Sequence, residues 1–404
     1  MWDVMATGFA VLICSWACVA QTDPLAWIDA EKVRAAYHYA NPPAPEACAR
    51  LKAAGINAMI LKASVEKALP WCREAKRQGM HCFLAANFDV DAEQAGLRQA
   101  VLDDGQVERY ACPLEERFWR EHLLPRLLER AAVTDDPTMQ VDGLWIDFEL
   151  YSTRTGQRYY TRACYCDHCF GAFCHQQGLE PPQVAYAERK RWLEEHGYAE
   201  DYQPYLASRV EELATQVREQ IHSRYPHLLL GFYPTPHNWS LLAVARGFST
   251  EAVPILLWAT DTYGGGGASR VPDDWRSHYI EQGINARYIA GLLLRAYSAR
   301  NLAAHIYQVS EKCDGYWLFT THTLEAEEEK GDYYLAAGTK QDYWQALRLA
   351  NDELDRRMQQ GPDYQTTLQL GPEPTLIPAL TRPELRQRIA RLVAPSHEGQ
   401  MMEL

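Results

Sequence analysis

Val141-Asp142-Gly143-Leu144-Trp145-Ile146-Asp147-Phe148-Glu149 reads as a buried strand that ends in two carboxylates. Side chains alternate faces along a strand, so Leu144, Ile146 and Phe148 share one face and Trp145, Asp147 and Glu149 the other. The apolar face suits packing against helices. The opposite face carries two acids to the C-terminal end of the strand, where barrel enzymes place their chemistry. Two carboxylates this close cannot both ionise freely once desolvated. One is therefore expected to hold its proton near neutral pH, as a general acid must. The competing reading of a bare Asp-x-Glu is a pair that caps or ion-pairs the following loop.

Working outward, seven more short segments have the length and the apolar or aromatic content of buried strands: 33–39, 56–62, 81–88, 228–233, 254–260, 287–293 and 315–319, with 143–148 as the fourth in chain order. Helical segments lie between them. They include 65–78, with Gly79 as its C-cap, 118–132 and 299–310. Strands alternating with helices imply a parallel sheet, and eight of them close most naturally on themselves. The expected fold class is α/β, a (β/α)8 TIM barrel with a long insertion after strand four, from Leu150 to about His227. An open doubly wound sheet is the alternative. No Gly-x-Gly-x-x-Gly follows any strand, and the glycine run 264–267 lacks the Lys and helix start of a phosphate cradle. The expected organisation is a signal peptide over 1–20, the barrel over 21–360 and a C-terminal extension or tail over 361–404, helical at 383–392.

The chain has 404 residues, 47% of them hydrophobic and 23% charged, which is a globular composition. A formal net charge of −13 argues against a nucleic-acid partner, whose phosphates need a basic footprint. Residues 8–20 have the length of a signal-peptide core, and Cys18-Val19-Ala20 has the form of a cleavage site, although Asp3 and the lack of Lys or Arg weaken the n-region. The expected location is secreted or periplasmic. The run is too short to span a bilayer comfortably and no later stretch reads as a span. Oligomeric state is not legible.

The strand-four segment resembles the Asp-Gly-x-Asp-x-Asp-x-Glu signature of family 18 glycoside hydrolases, keeping Asp142, Gly143, Asp147 and Glu149 but placing Trp145 where the second acid of the ladder stands. The resemblance implies a carbohydrate substrate, with Glu149 protonating the glycosidic oxygen and Asp147 orienting the substrate's acetamido group. Trp145 removes one relay carboxylate. Trp258-Ala259-Thr260-Asp261-Thr262-Tyr263-Gly264 is loosely similar to the family's Tyr-Asp segment. Gly315-Tyr316-Trp317 falls where that family has a Trp at the floor of the sugar subsite. Either Tyr316 or Trp317 can face inward, depending on register.

Cys164-x-Cys166-x-x-Cys169 sets three thiols close together on a loop, a pattern suited to tetrahedral Zn²⁺ with a fourth ligand from Cys112, Cys174 or His168. Disulfides are the competing reading for an exported chain, but a bridge within Cys-x-Cys would be strained and eleven cysteines fit neither model cleanly. The cluster resembles the structural zinc site of family 42 β-galactosidases, where an upstream Cys-Pro completes the shell. Cys112-Pro113 stands in that place, and the resemblance implies Cys112 as fourth ligand. Four thiolates leave no open position, so the metal would be structural. No organic cofactor is expected.

In the family 42 reading Glu149 is again the acid, and the nucleophile is a Glu at the end of strand seven. That strand, Arg287 to Arg295, holds no carboxylate. Asp261 is the candidate second acid, with Asp147 as nucleophile, against a plain loop-capping role. Trp145, Tyr233, Tyr263, Trp317, His38 and Asn87 are the expected substrate-binding residues, with Tyr37, Asp89 and His237 nearby. A barrel histidine such as His38 is often simply a packed residue. Two alternatives to hydrolysis stand: a non-catalytic carbohydrate-binding barrel, favoured by Trp145 and the acid-free strand seven, and a different barrel chemistry such as a lyase or deacetylase. The His/Asp metal spacing a deacetylase needs does not stand out.

Overall fold

The computed structural model of the chain describes residues 25–39, 46–87, 89–149, 162–326 and 333–372. The expected signal peptide, the helix over 383–392 and most of the stretch between Glu149 and the cysteines lie outside these residues.

Eight strands form the barrel: β1 (Val33–Tyr39), β2 (Ala58–Lys62), β3 (His81–Asn87), β4 (Gly143–Asp147), β5 (Leu229–Tyr233), β6 (Ile255–Ala259), β7 (Ala286–Leu293) and β8 (Gly315–Phe319). Every neighbour pair is parallel, and the order closes from β8 back onto β1 with Val33 opposite Gly315. The fold is a (β/α)8 barrel, as the strand rhythm predicts. β1 and β8 have the bounds read from the sequence, and the other six differ from it by one or two residues at their ends.

Two apolar layers follow from strand alternation. Val33, Ala35, Ile60, Phe83, Trp145, Leu256, Trp258, Ile289 and Trp317 fill the interior, and the helix Ala26–Glu31 closes its lower end by packing Leu25 and Ile28 there. Leu144, Ile146 and Phe148 face the surrounding helices, as expected of strand four. The interior is a solid floor for a physical reason. Gly231 and Gly291 stand on inward positions of β5 and β7 and leave room for indoles. A Cβ at 231 would lie 2.1 Å from Trp258 Nε1, and one at 291 would lie 2.7 Å from Trp317 Nε1.

The helix Val65–Gln78 ends at Gly79 in the left-handed conformation, as expected. The helix expected at 118–132 begins with a wider π-helical turn, Phe118–Leu123, before Leu124–Ala131. An antiparallel hairpin, Gln99–Val101 with Val107–Ala111, was not anticipated; it projects after β3. Residues 361–372 pack back on the barrel's outer helices: Tyr364 hydrogen-bonds the buried Glu353, and Gly371 exchanges two 2.9 Å hydrogen bonds with the Asn301 side chain. Among the described residues, no helix is long and apolar enough to cross a membrane.

Candidate active site

The last inward positions of β3, β4 and β5 line up. Asn87 is the register partner of Asp147, and Asp147 of Tyr233. Three side chains therefore stand side by side at the C-terminal rim. Asp147 accepts the Glu149 backbone N–H at 2.9 Å, and Tyr233 donates its hydroxyl to Glu149 Oε2 at 2.9 Å. Both strand-four acids thus belong to the mouth of a closed barrel.

Burial dominates the electrostatics of Asp147. Desolvation raises its carboxyl to about 6, against the lowering effect of the Glu149 amide and of Lys62. Of the two acids, Asp147 is the one whose carboxyl is raised, and desolvation, not its neighbour's charge, is the main cause. Lys62 was missed in the sequence. It follows Ala58 and Ile60 on the inward face of β2, and burial pulls its ammonium down while the charge of Asp147 pulls it up. Alternation along 58–62 could have found it.

Aromatic rings wall the mouth. Trp145 stacks on Tyr233 at 4.9 Å, and Trp317 meets the Tyr233 ring edge-on at 5.8 Å. Trp317 is the inward residue of β8, and Tyr316 faces out to bond Asn351. Tyr39, on the inward face of β1, hydrogen-bonds Tyr333 at 2.7 Å. Tyr263 lies 5.3 Å from Trp317, and burial among Tyr233, Glu149, Tyr37 and Asp147 raises its phenol. The Tyr263 hydroxyl and the Trp145 indole N–H are buried without a hydrogen-bond partner among the described residues. Buried donors left unpaired are costly, and here they border the two acids. Asn87 is exposed at the rim.

Two expected site residues do not join this group. His38 faces outward on β1. Its ring packs on Trp71 at 4.7 Å, its Nδ1 pairs with Thr321 Oγ1 at 3.3 Å, and burial lowers it to about 3. Inward Tyr37 dictates this, because neighbouring strand residues take opposite faces. Asp261 sits in the turn after β6, beyond the last residue whose direction alternation sets. Its carboxylate accepts a hydrogen bond from Tyr288, on the helix-facing side of β7, and pairs with His237 Nε2 at 2.5 Å. Burial raises the Asp261 carboxyl, but hydrogen bonds from His237, Tyr288 and Thr235 outweigh it and hold the group below its ordinary value.

The cysteine cluster is a separate centre. Cys112, Cys164, Cys166 and Cys169 are all buried, and their sulfurs lie within 4.8 Å of one another. Cys112 Sγ is 3.3 Å from Cys169 Sγ and 3.6 Å from Cys166 Sγ. Tetrahedral Zn–S bonds of about 2.3 Å set sulfurs roughly 3.8 Å apart, so the group fits a metal. No disulfide joins the described cysteines. His168 is exposed and Cys174 lies outside the cluster. Cys166 caps the helix Asp167–Gln176, and hydrogen bonds from the other thiols hold it far below an ordinary thiol. The group joins two excursions of the chain. Cys112 follows the hairpin after β3, and the other three belong to the insertion after β4, where Tyr165 N–H bonds Val101 O at 2.7 Å.

No family model and no curated protein matches the chain. Among solved structures it is similar to an exo-β-agarase, with 11% identity over 78% of this chain and 47% of that one and a TM-score of 0.49. It is similar to PfGH50B, with 12% identity over 78% and 49% and a TM-score of 0.45. It is also similar to BpGH50, with 9% identity over 81% and 78% and a TM-score of 0.47. The chain spans about half the length of the first two. The barrel stands on its own strand order.

Proposed function

We propose that this protein is a glycoside hydrolase whose reaction takes place at the Asp147–Glu149 pair, on an oligo- or polysaccharide. The observation that carries the reading is a buried carboxyl poised at about 6 beside a second carboxylate, at the aromatic-walled mouth of a barrel. The half-buried rings of Tyr39, Tyr233 and Tyr263 offer faces for pyranose rings above the indole floor. The raised carboxyl favours Asp147 as the general acid, with Glu149 as the accompanying carboxylate. This exchanges the roles the family resemblance implies. The test is hydrolysis of a panel of nitrophenyl glycosides and polysaccharides by the wild type, Asp147→Asn and Glu149→Gln. Each variant is expected to lose roughly 10²–10⁴-fold in kcat with an unchanged circular dichroism spectrum. A wild type that retains glycans on a column and releases no product would favour the non-catalytic binding barrel instead.

The four-cysteine group is proposed to hold one structural Zn²⁺. Cys112, Cys164, Cys166 and Cys169 fill a tetrahedral shell, so the ion would brace the two excursions and take no part in the reaction. About one zinc per chain is expected in the purified protein, lost in Cys166→Ser together with several kcal/mol of stability. A full complement of zinc in that variant would refute the ligand set.

A further inference from the structure

The mouth holds a hydroxyl that hydrogen-bonds one of the two acids and neighbours the other. Retaining glycosidases need an attacking group beside the acid/base. Strand seven supplies no carboxylate, and Asp261 is bound to His237 and Tyr288. Tyr233 stands beside Asp147 as its register partner on the adjacent strand, on the same inward face. Its hydroxyl already hydrogen-bonds a carboxylate, Glu149 Oε2, at 2.9 Å. Its ring is held in place by Trp145, stacked at 4.9 Å, and by the edge of Trp317 at 5.8 Å. A hydroxyl nucleophile with an adjacent base and a third group to orient it is the general form of covalent catalysis.

We infer that Tyr233 is the catalytic nucleophile, with Glu149 as its base and Asp147 as the acid/base. This rests on the hydrolase reading above. In the first half-reaction Tyr233 Oη bonds to the anomeric carbon and its proton passes to Glu149 Oε2. The bond from that carbon to the leaving oxygen breaks, and Asp147 gives its proton to that oxygen. In the second half, Asp147, now a carboxylate, takes a proton from water, and the water oxygen attacks the same carbon. The bond to Tyr233 breaks and the phenolate recovers its proton from Glu149. The sum is hydrolysis with retained configuration. A phenol suits this mouth because it is neutral at rest, whereas a third carboxylate beside Asp147 and Glu149 would raise all three.

The experiment has three readouts. The wild type is incubated with 2-deoxy-2-fluoroglycosyl fluorides of the sugars it cleaves, and the trapped species is mapped by peptide mass spectrometry. Product configuration is followed by NMR. Tyr233→Phe and Tyr233→Ala are assayed, the latter with added azide. The expected results are a glycosyl adduct on Tyr233, retention, a loss of roughly 10³-fold or more in Tyr233→Phe, and a glycosyl azide of inverted configuration from Tyr233→Ala. A tyrosine that only orients Glu149 would give no adduct and no azide product. An adduct on Asp147 or Glu149, an inverted product, or Tyr233→Phe within tenfold of wild type would overturn the assignment and leave the hydrolase reading standing. A wild type that cleaves nothing in the panel defeats both.

Discussion

Asp147 and Asp261 are the same residue type at the same end of the same barrel, both largely shielded from water, and their carboxyls move in opposite directions. Asp147 is raised to about 6 because burial outweighs one backbone amide and a nearby ammonium. Asp261 is lowered because His237, Tyr288 and Thr235 all bond its charged form. Depth alone therefore does not mark a reactive carboxyl. What marks it is depth without enough partners, since the protein then favours the protonated form. By that criterion we propose the strand-four acid for the reaction and read the strand-six acid as an anchor.

The comparison can be broken most directly by activity. Asp261→Asn is expected to keep turnover within about tenfold of wild type, while Asp147→Asn loses up to roughly 10⁴-fold. Equal losses would place Asp261 in the reaction. Stability is expected to separate the two next. Asp261→Asn should cost about 1–3 kcal/mol in urea unfolding at pH 7, because it removes a charge that three partners were arranged to meet. Asp147→Asn should stabilise by roughly 1–3 kcal/mol at pH 7, since the amide keeps an oxygen for the Glu149 N–H and sheds the buried charge.

The pH dependence sharpens the contrast. A raised carboxyl binds its proton more tightly in the folded state, so the Asp147 contribution falls as pH climbs from about 4 to about 6. A lowered carboxyl acts with the opposite sign. Asp261 contributes fully above its unfolded value, near 4, and that contribution fades as pH drops through the folded one. Thermal melts between pH 3 and 8 should therefore show Asp147→Asn losing the decline above pH 4, and Asp261→Asn losing part of the acid sensitivity.

Much of this was open to reading from residue order, and the failures have physical causes. The barrel was legible because a strand buried on both faces is a short apolar run, and strand four fell on the right faces because alternation is strict within a strand. Alternation also makes Lys62 inward and His38 outward, yet neither was assigned that way. The hairpin announces itself as Asp104-Gly105 between Val101 and Val107. Asp261 was beyond such reasoning. It lies past the end of β6, and its partner Tyr288 is nearest across strands, not along the chain. The choice of Cys112 came from a Cys-Pro likeness, because spacing alone left three candidates for the fourth position.

The paired glycines and indoles fix what β7 can carry. A side chain at Gly291 would meet Ala259 O and Tyr263 Cε1 at 2.4 Å before it reached solvent. An acid could therefore not be gained there by a single substitution. Trp317 and Tyr263 would have to shrink, and the Ala259 backbone of β6 would have to move as well. The floor thus holds β7 free of a carboxylate at that level, and the inward acid of the mouth stands on β4 instead.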